Sequence, residues 1–79
     1  MSRVEQTVLD CFANVFPNIP AQELASLSQA AHAEWDSVAH VTLVAALSEA
    51  LDVELDFDAF TEASTYAEVL SIARAAAGE

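Results

Sequence analysis

The first hydrophobic residues of the chain recur at steps of three and four, which is the spacing of one face of an α-helix. These apolar positions are Val4, Val8, Cys11, Phe12 and Val15. Ser2 and Glu5 have the spacing of a capping box at a helix start. Phe16 precedes a proline and therefore disfavours the α conformation. We expect a first helix over about residues 2–16.

A second helical pattern runs from Ser37 to Leu51. Its hydrophobic spacing predicts an inner stripe of Val41, Val44, Leu47 and Leu51, flanked by Val38 and Leu43. The residues expected to point outward or along the rim are Thr42, Ala45, Ser48 and Glu49. The segment is so rich in alanine and other apolar residues that we expect it to be central and packed on more than one side.

Between these two helices, residues 17–36 show no clear helical pattern. Two prolines open the segment, and Leu24 and Leu27 are expected to turn inward and anchor it. A short helical turn around residues 21–27 is compatible with this stretch. A connection of about 20 residues is unusual in a compact domain and is often functional.

Acidic and apolar residues alternate from Asp52 to Asp58, which resembles the pattern of a strand. No other segment offers a partner strand, so we interpret the stretch as a loop. Its inward-facing residues are expected to be Val53, Leu55 and Phe57. A short third helix over about residues 58–62 would then bury Phe60.

Thr65 and Glu68 again have capping-box spacing and predict the start of a fourth helix. Its inner face is expected to consist of Tyr66, Val69, Leu70 and Ala73. Gly78 is placed to end this helix. With one glycine and two prolines, the chain has little material for hairpins. The predicted fold is all-α: a four-helix bundle with a long loop between the first two helices and a short third helix.

The length and charge of the chain limit its class. Its 79 residues make a single domain over residues 1–79, and 54% hydrophobic residues indicate a globular rather than a disordered chain. Thirteen acidic and two basic residues give a formal charge of −11. Nucleic acid and anionic membranes would repel such a chain, whereas proteins with basic patches would be attracted. Acidity that only keeps the protein soluble explains the charge equally well.

The single cysteine excludes an intramolecular disulfide and fits a reducing compartment. Cys11 lies on the apolar side of the first helix, where a thiol usually serves as packing material. The amino-terminal sequence has no signal-peptide hydrophobic region, and no apolar run reaches the roughly 18 residues of a membrane span. We expect a cytoplasmic protein.

Two kinds of site are suggested by the residue types and then weakened by their context. Asp36, Ser37 and His40 resemble a hydrolase set, but nothing orients the histidine and no glycine-rich loop supplies an oxyanion hole. We therefore expect no catalytic residue and no enzyme.

The alternating acids Asp52, Glu54, Asp56 and Asp58 resemble the start of an EF-hand loop. Counted from Asp52, however, the segment lacks the glycine of position six and the glutamate of position twelve. His32 has no second histidine or cysteine nearby at ligand spacing. We therefore expect no metal site.

Ser37 stands at the predicted start of the second helix, directly after an acidic residue. The ordinary role of such a serine is a helix cap. The same position also favours anions, because unpaired backbone N–H groups and the positive end of the helix dipole lie there. A phosphate attached to Ser37 would therefore be well placed.

The thirteen residues from Trp35 to Leu47 read Trp-Asp-Ser-Val-Ala-His-Val-Thr-Leu-Val-Ala-Ala-Leu. This stretch resembles the Asp-Ser-Leu motif and second helix of acyl carrier proteins, and the similarity extends over nearly the whole chain. The resemblance implies that Ser37 carries a covalent 4′-phosphopantetheine, with Asp36 as its motif neighbour. The thiol of that arm would hold acyl or aminoacyl groups as thioesters.

The resemblance also implies a set of partners for a monomeric carrier. They are a phosphopantetheinyl transferase that uses coenzyme A, an acyl- or aminoacyl-loading enzyme, and downstream synthase or tailoring enzymes with basic patches. No nucleic acid and no membrane is expected among them. The residues assigned to partner recognition are Trp35, Val38, Thr42, Ala45, Glu49 and Asp58.

The chain differs from the common pattern of that family. The Asp-Leu-Gly that usually precedes the motif is replaced by His-Ala-Glu-Trp at residues 32–35. The Trp-Asp-Ser start with His40 and Val41 is more similar to freestanding carriers of polyketide, nonribosomal peptide or related specialised pathways. The alternative is a noncatalytic acidic helical module that binds partner proteins, with Ser37 only a helix cap. That alternative does not explain why a serine, an acidic residue and a long loop occur together in this arrangement.

Overall fold

The computed structural model describes residues 3–78. This part of the chain forms four α-helices and one 3₁₀ helix and contains no strand. The elements are α1 Arg3–Val15, the 3₁₀ helix Ala21–Ser26, α2 Ser37–Leu51, α3 Phe57–Glu62 and α4 Tyr66–Ala77. The prediction of an all-α fold with a long first connection and a short third helix is confirmed. Ser2 of the expected capping box lies outside the described residues.

Aromatic rings fill the centre of the core. The Phe12 side chain of α1 is fully buried, and its ring lies 5.0 Å from that of Tyr66, 5.4 Å from Trp35 and 6.0 Å from Phe16. Ring pairs at such separations add to the stabilisation gained by burying their surface. Helix α2 contributes Leu43 and Leu47 to the same core, both without exposed surface.

The face that α2 turns inward differs from the predicted one. Leu43 and Leu47 are fully buried, but Val41 is 57% exposed and Val38 is 74% exposed. The predicted inner stripe was therefore wrong at Val41. Because α2 carries apolar residues on all its sides, spacing alone does not identify the core face, and the larger leucines take the inner positions.

The long connection between α1 and α2 is fastened to the rest of the bundle. Leu24 and Leu27 are buried, as predicted. The backbone N–H of Gln29 donates to the carbonyl of Ser64 at 2.9 Å, and that of Tyr66 donates to the carbonyl of Leu27 at 3.0 Å. These bonds hold the connection against the junction of α3 and α4 and lead the chain to the start of α2.

The loop after α2 also differs from its prediction in one side chain. Leu55 is buried and Val53 is half-buried, in agreement with the sequence pattern. Phe57, expected to point inward, is 59% exposed. It is the first residue of α3, whose inner position is taken by Phe60, so Phe57 turns to the surface.

The two ends of α4 match their predictions. The Thr65 hydroxyl accepts a hydrogen bond from the backbone N–H of Glu68, and the Glu68 carboxylate accepts one from the N–H of Ser64. The bonds from the Ser64 N–H and from the Thr65 and Ser64 hydroxyls lower the pKa of the Glu68 carboxyl. Gly78 ends the helix in the left-handed conformation, with φ of 81°.

Tyr66 presents a buried hydroxyl with no hydrogen-bond partner among residues 3–78. Burial, reinforced by the charge of Glu5, raises the pKa of this phenol, so its ionisation at alkaline pH destabilises the fold. A buried polar group without a partner costs about 1–3 kcal/mol. We therefore expect Tyr66→Phe to raise the free energy of unfolding, by about 1 kcal/mol, in urea denaturation. A loss of stability of that size would instead mean that the hydroxyl is hydrogen-bonded in solution.

Candidate functional site

The start of α2 is capped by Asp36. Its backbone is extended, and its Oδ1 accepts a hydrogen bond from the backbone N–H of Ala39 at 2.9 Å. The Asp36 carbonyl accepts the first intrahelical bond, from the N–H of His40. Ser37 is therefore the first residue of the helix and not its cap, so the capping role that the alternative gave to Ser37 is wrong.

The Ser37 side chain is exposed, and its hydroxyl makes no hydrogen bond to any described residue. The first N–H groups of a helix have no partner within it, and the positive end of the dipole lies there. A phosphate on the Ser37 oxygen would therefore lie at a favourable position for an anion. The exposed hydroxyl is thus accessible from solvent.

An open groove adjoins Ser37 between α2 and α3. Its volume is about 420 Å³, and most of its wall is apolar. The lining residues are Gln29, Trp35, Asp36, Ser37, His40, Val41, Phe57 and Thr61. The groove thus brings together the start of α2, the end of the long connection and the exposed face of α3.

His40 joins three parts of this groove. Its Nδ1 accepts a hydrogen bond from the Trp35 indole N–H at 3.0 Å, because an indole nitrogen can only donate. The imidazole proton therefore lies on Nε2, which donates to the Phe60 carbonyl at 2.6 Å. The imidazole ring also stacks on Trp35 and contacts the Phe60 ring. His40 connects the residues before Ser37 to α3.

The same bonds exclude the hydrolase arrangement considered above. Both nitrogens of His40 are engaged, one by Trp35 and the other by Phe60, so neither is free to take the proton of Ser37. A histidine that activates a serine must hydrogen-bond its hydroxyl.

Comparison with known proteins adds one finding to this geometry. The sequence model of a family described as "phosphopantetheine attachment site" matches residues 6–72. The chain belongs to this family. No curated protein and no solved structure matches it. The protein is therefore a phosphopantetheine-bearing carrier, and 4′-phosphopantetheine is its covalent cofactor. Carriers of this family act with a phosphopantetheinyl transferase and with partner enzymes.

The residues assigned to partner recognition in this carrier are almost all on the surface. The exposed members are Val38, Thr42, Ala45, Glu49 and Asp58. Trp35 is the exception, because only 3% of it is exposed and its ring packs on Phe12 and Phe16. The indole is large and apolar and is buried in the core, so it does not present a surface to a partner in this structure, and its assignment to partner recognition stays a prediction.

Val41 and Phe57 are surface residues of the carrier that the sequence did not indicate. With Val38 they are the large hydrophobic side chains that remain exposed in the described part of the chain. We call Val38, Val41 and Phe57 the apolar surface. The sequence signal that could have suggested it was the excess of apolar residues in α2, which is more than one buried face requires.

Charge is unevenly distributed along the carrier. Arg74 lies 3.6 Å from Glu5 in an ion pair, and Arg3 shares a surface depression with Leu51 at the far end of α2. A 15-residue helix is about 22 Å long, so both arginines are distant from Ser37. The charged residues nearest to Ser37 in the sequence, Glu34 and Asp36, are both acidic.

The remaining candidate groups have structural explanations. Within residues 3–78, no group of three or more His, Cys, Asp or Glu side chains is arranged to hold a metal ion. Burial, together with the charge of Asp10, raises the pKa of the Cys11 thiol, which disfavours the thiolate. None of the helices described is both long and apolar enough to cross a membrane.

Proposed function

We propose that Ser37 is the residue to which 4′-phosphopantetheine is attached, with Asp36 holding the helix start in place. The observation that supports this most is the division of roles between the two neighbours. Asp36 supplies the cap, so the exposed Ser37 hydroxyl has no structural task. In this proposal the chain acts as one carrier domain and performs no catalysis itself.

The chemistry required of Ser37 is the attack of its oxygen on a phosphorus of coenzyme A. A bond forms between the Ser37 oxygen and that phosphorus, the pyrophosphate bond of coenzyme A breaks, and the adenosine bisphosphate half leaves. The serine proton passes to a base of the transferase. When bound, the arm supplies a thiol that holds cargo as a thioester. The chain's own contribution is an exposed nucleophile at the positive end of α2.

We propose acyl or aminoacyl groups as the cargo and a specialised pathway, such as polyketide or nonribosomal peptide synthesis, as the setting. The support is the similarity of the Trp-Asp-Ser start, with His40 and Val41, to freestanding carriers of such pathways. The exposed side of α2 is in agreement, because Thr42 and Ala45 stand where acidic residues are common in other carriers, and only Glu49 is charged.

The partners we propose are a phosphopantetheinyl transferase, an acyl- or aminoacyl-loading enzyme and downstream enzymes, each meeting a monomeric carrier. The apolar surface supplies area to bury beside Ser37, with Val38 on the adjacent position of the helix. The acidic side chains around it favour partners whose contact area has an apolar centre and basic residues at its edge.

The test of attachment is the intact mass of the protein after incubation with coenzyme A and a promiscuous transferase. We expect a gain of one phosphopantetheine, located on Ser37 by peptide fragmentation. A gain on another serine would overturn the assignment of Ser37. No gain on a folded sample would favour the protein-interaction module, with Ser37 then an ordinary surface residue.

A further inference from the structure

His40 occupies a central position that the carrier function does not by itself require. It lies one turn after Ser37 on α2, and its two ring nitrogens connect the Trp35 indole to the Phe60 carbonyl. Phe60 belongs to the same short helix as Phe57. The imidazole is thus the polar connection between α3 and the segment that carries Ser37.

The bond from Trp35 exists only for the neutral imidazole, whereas the bond that Nε2 donates to the Phe60 carbonyl is retained in the protonated ring. A second proton would have to bind Nδ1, which would then face the indole N–H with a donor opposite a donor. Trp35 is 3% exposed and packed between Phe12 and Phe16, so its N–H cannot turn to water unless the ring leaves the core. Protonation must therefore separate His40 from Trp35 or displace both.

We infer that His40 is a positioning residue that sets the shape of the apolar surface beside Ser37, and that it does so only in its neutral form. The inference rests on the proposed function, since the surface matters because partners approach Ser37 there. Val41 follows His40 directly, and Phe57 lies one turn before Phe60, so the His40 bonds fix the two sides of the groove relative to each other. Loss of the bond from Trp35 would let His40, and with it the Phe60 carbonyl of α3, shift relative to the segment before Ser37.

The charged groups around His40 do not supply a competing switch. The elements packed on it are the segment before α2, α2 itself and α3. Their charged side chains are all acidic and exposed: Glu34, Asp36, Glu49, Asp58 and Glu62. The other histidine, His32, is held by Ser28 within its own turn and provides a matched control.

Fluorescence of Trp35, the one tryptophan of the chain, tests the connection directly. When the pH is lowered far enough to protonate histidines, we expect the wild type and His32→Gln to show a reversible loss of emission. His40→Gln, which cannot be protonated, should show no such loss. Identical pH profiles for all three proteins would overturn the inference. If His40→Gln does not fold, nitrogen NMR of wild-type His40 tests the two hydrogen bonds instead. The inference requires the proton on Nε2 at high pH, and a proton on Nδ1 would overturn it.

Transfer kinetics test the consequence for partners. The wild type is compared with His40→Gln at each pH, so that the transferase's own pH dependence cancels in the ratio. We expect the transferase's KM for the wild-type carrier to rise several-fold, relative to its KM for the variant, as pH falls. Its kcat should stay unchanged, because docking and not chemistry is affected. If the ratio of the two KM values stayed constant while the Trp35 fluorescence changed with pH, the positioning role of His40 would be overturned. Absence of transfer at every pH would refute the attachment proposal, while the fluorescence would still decide the connection.

Discussion

Ser37→Ala is expected to abolish the addition of phosphopantetheine while leaving the protein folded. The substitution removes the oxygen that would bond to phosphorus, and no neighbouring hydroxyl can replace it, since Asp36 and Val38 flank the position. The hydroxyl makes no hydrogen bond to the described residues, and exposed substitutions usually change stability by less than about 0.5 kcal/mol. The measurements are intact mass after incubation with coenzyme A and transferase, and urea denaturation.

Asp36→Ala is the matched comparison for that experiment. It removes the carboxylate that accepts the N–H of Ala39, and loss of such a cap typically costs about 1 kcal/mol. We expect Asp36→Ala to be the less stable variant and Ser37→Ala the unmodified one. If Ser37→Ala still gained the mass of phosphopantetheine, attachment at this residue would be refuted. If it lost as much stability as Asp36→Ala, the serine would have a structural role after all.

Both ends of α4 and the start of α2 could be predicted because a local signal marks each of them. The capping pair Thr65 and Glu68 and the terminal Gly78 act within a few residues of the chain, so the sequence contains the whole interaction. The inner face of α4 was also predictable, because its buried residues alternate with exposed ones at helical spacing. The start of α2 at Ser37 followed in the same way from the acidic residue before it.

The orientation of α2 and the burial of Trp35 could not be predicted, because both depend on contacts with residues far away in the sequence. In α2 apolar residues occur all around the helix, so the choice between Val41 and Leu43 depends on which side chain fills the space left by α1 and α4. Trp35 has no helical pattern around it, and its burial depends on Phe12 and Phe16, which are about 20 residues away. Consequently the sequence indicated Ser37 as a candidate but did not describe the surface beside it.

Phe12→Ala and Phe57→Ala are expected to separate the stability of this carrier from its recognition. Phe12 is fully buried against three rings, and truncating such a residue costs about 3–5 kcal/mol. A domain of this length has a total stability of about 4–12 kcal/mol, so Phe12→Ala should lose at least about a quarter of it. Circular dichroism during urea denaturation measures this, and a loss below about 1 kcal/mol would contradict the central position of Phe12.

Phe57→Ala removes the same side chain from a position that is 59% exposed, so it is the matched control for the core substitution. Its free energy of unfolding should change by less than about 0.5 kcal/mol. The transferase's KM for this variant should rise, because the apolar surface loses its largest member beside Ser37. An unchanged KM would show that this partner docks elsewhere, and the exposed ring would then need another explanation. A rise in KM at unchanged stability would show that the Phe57 ring serves docking and not folding.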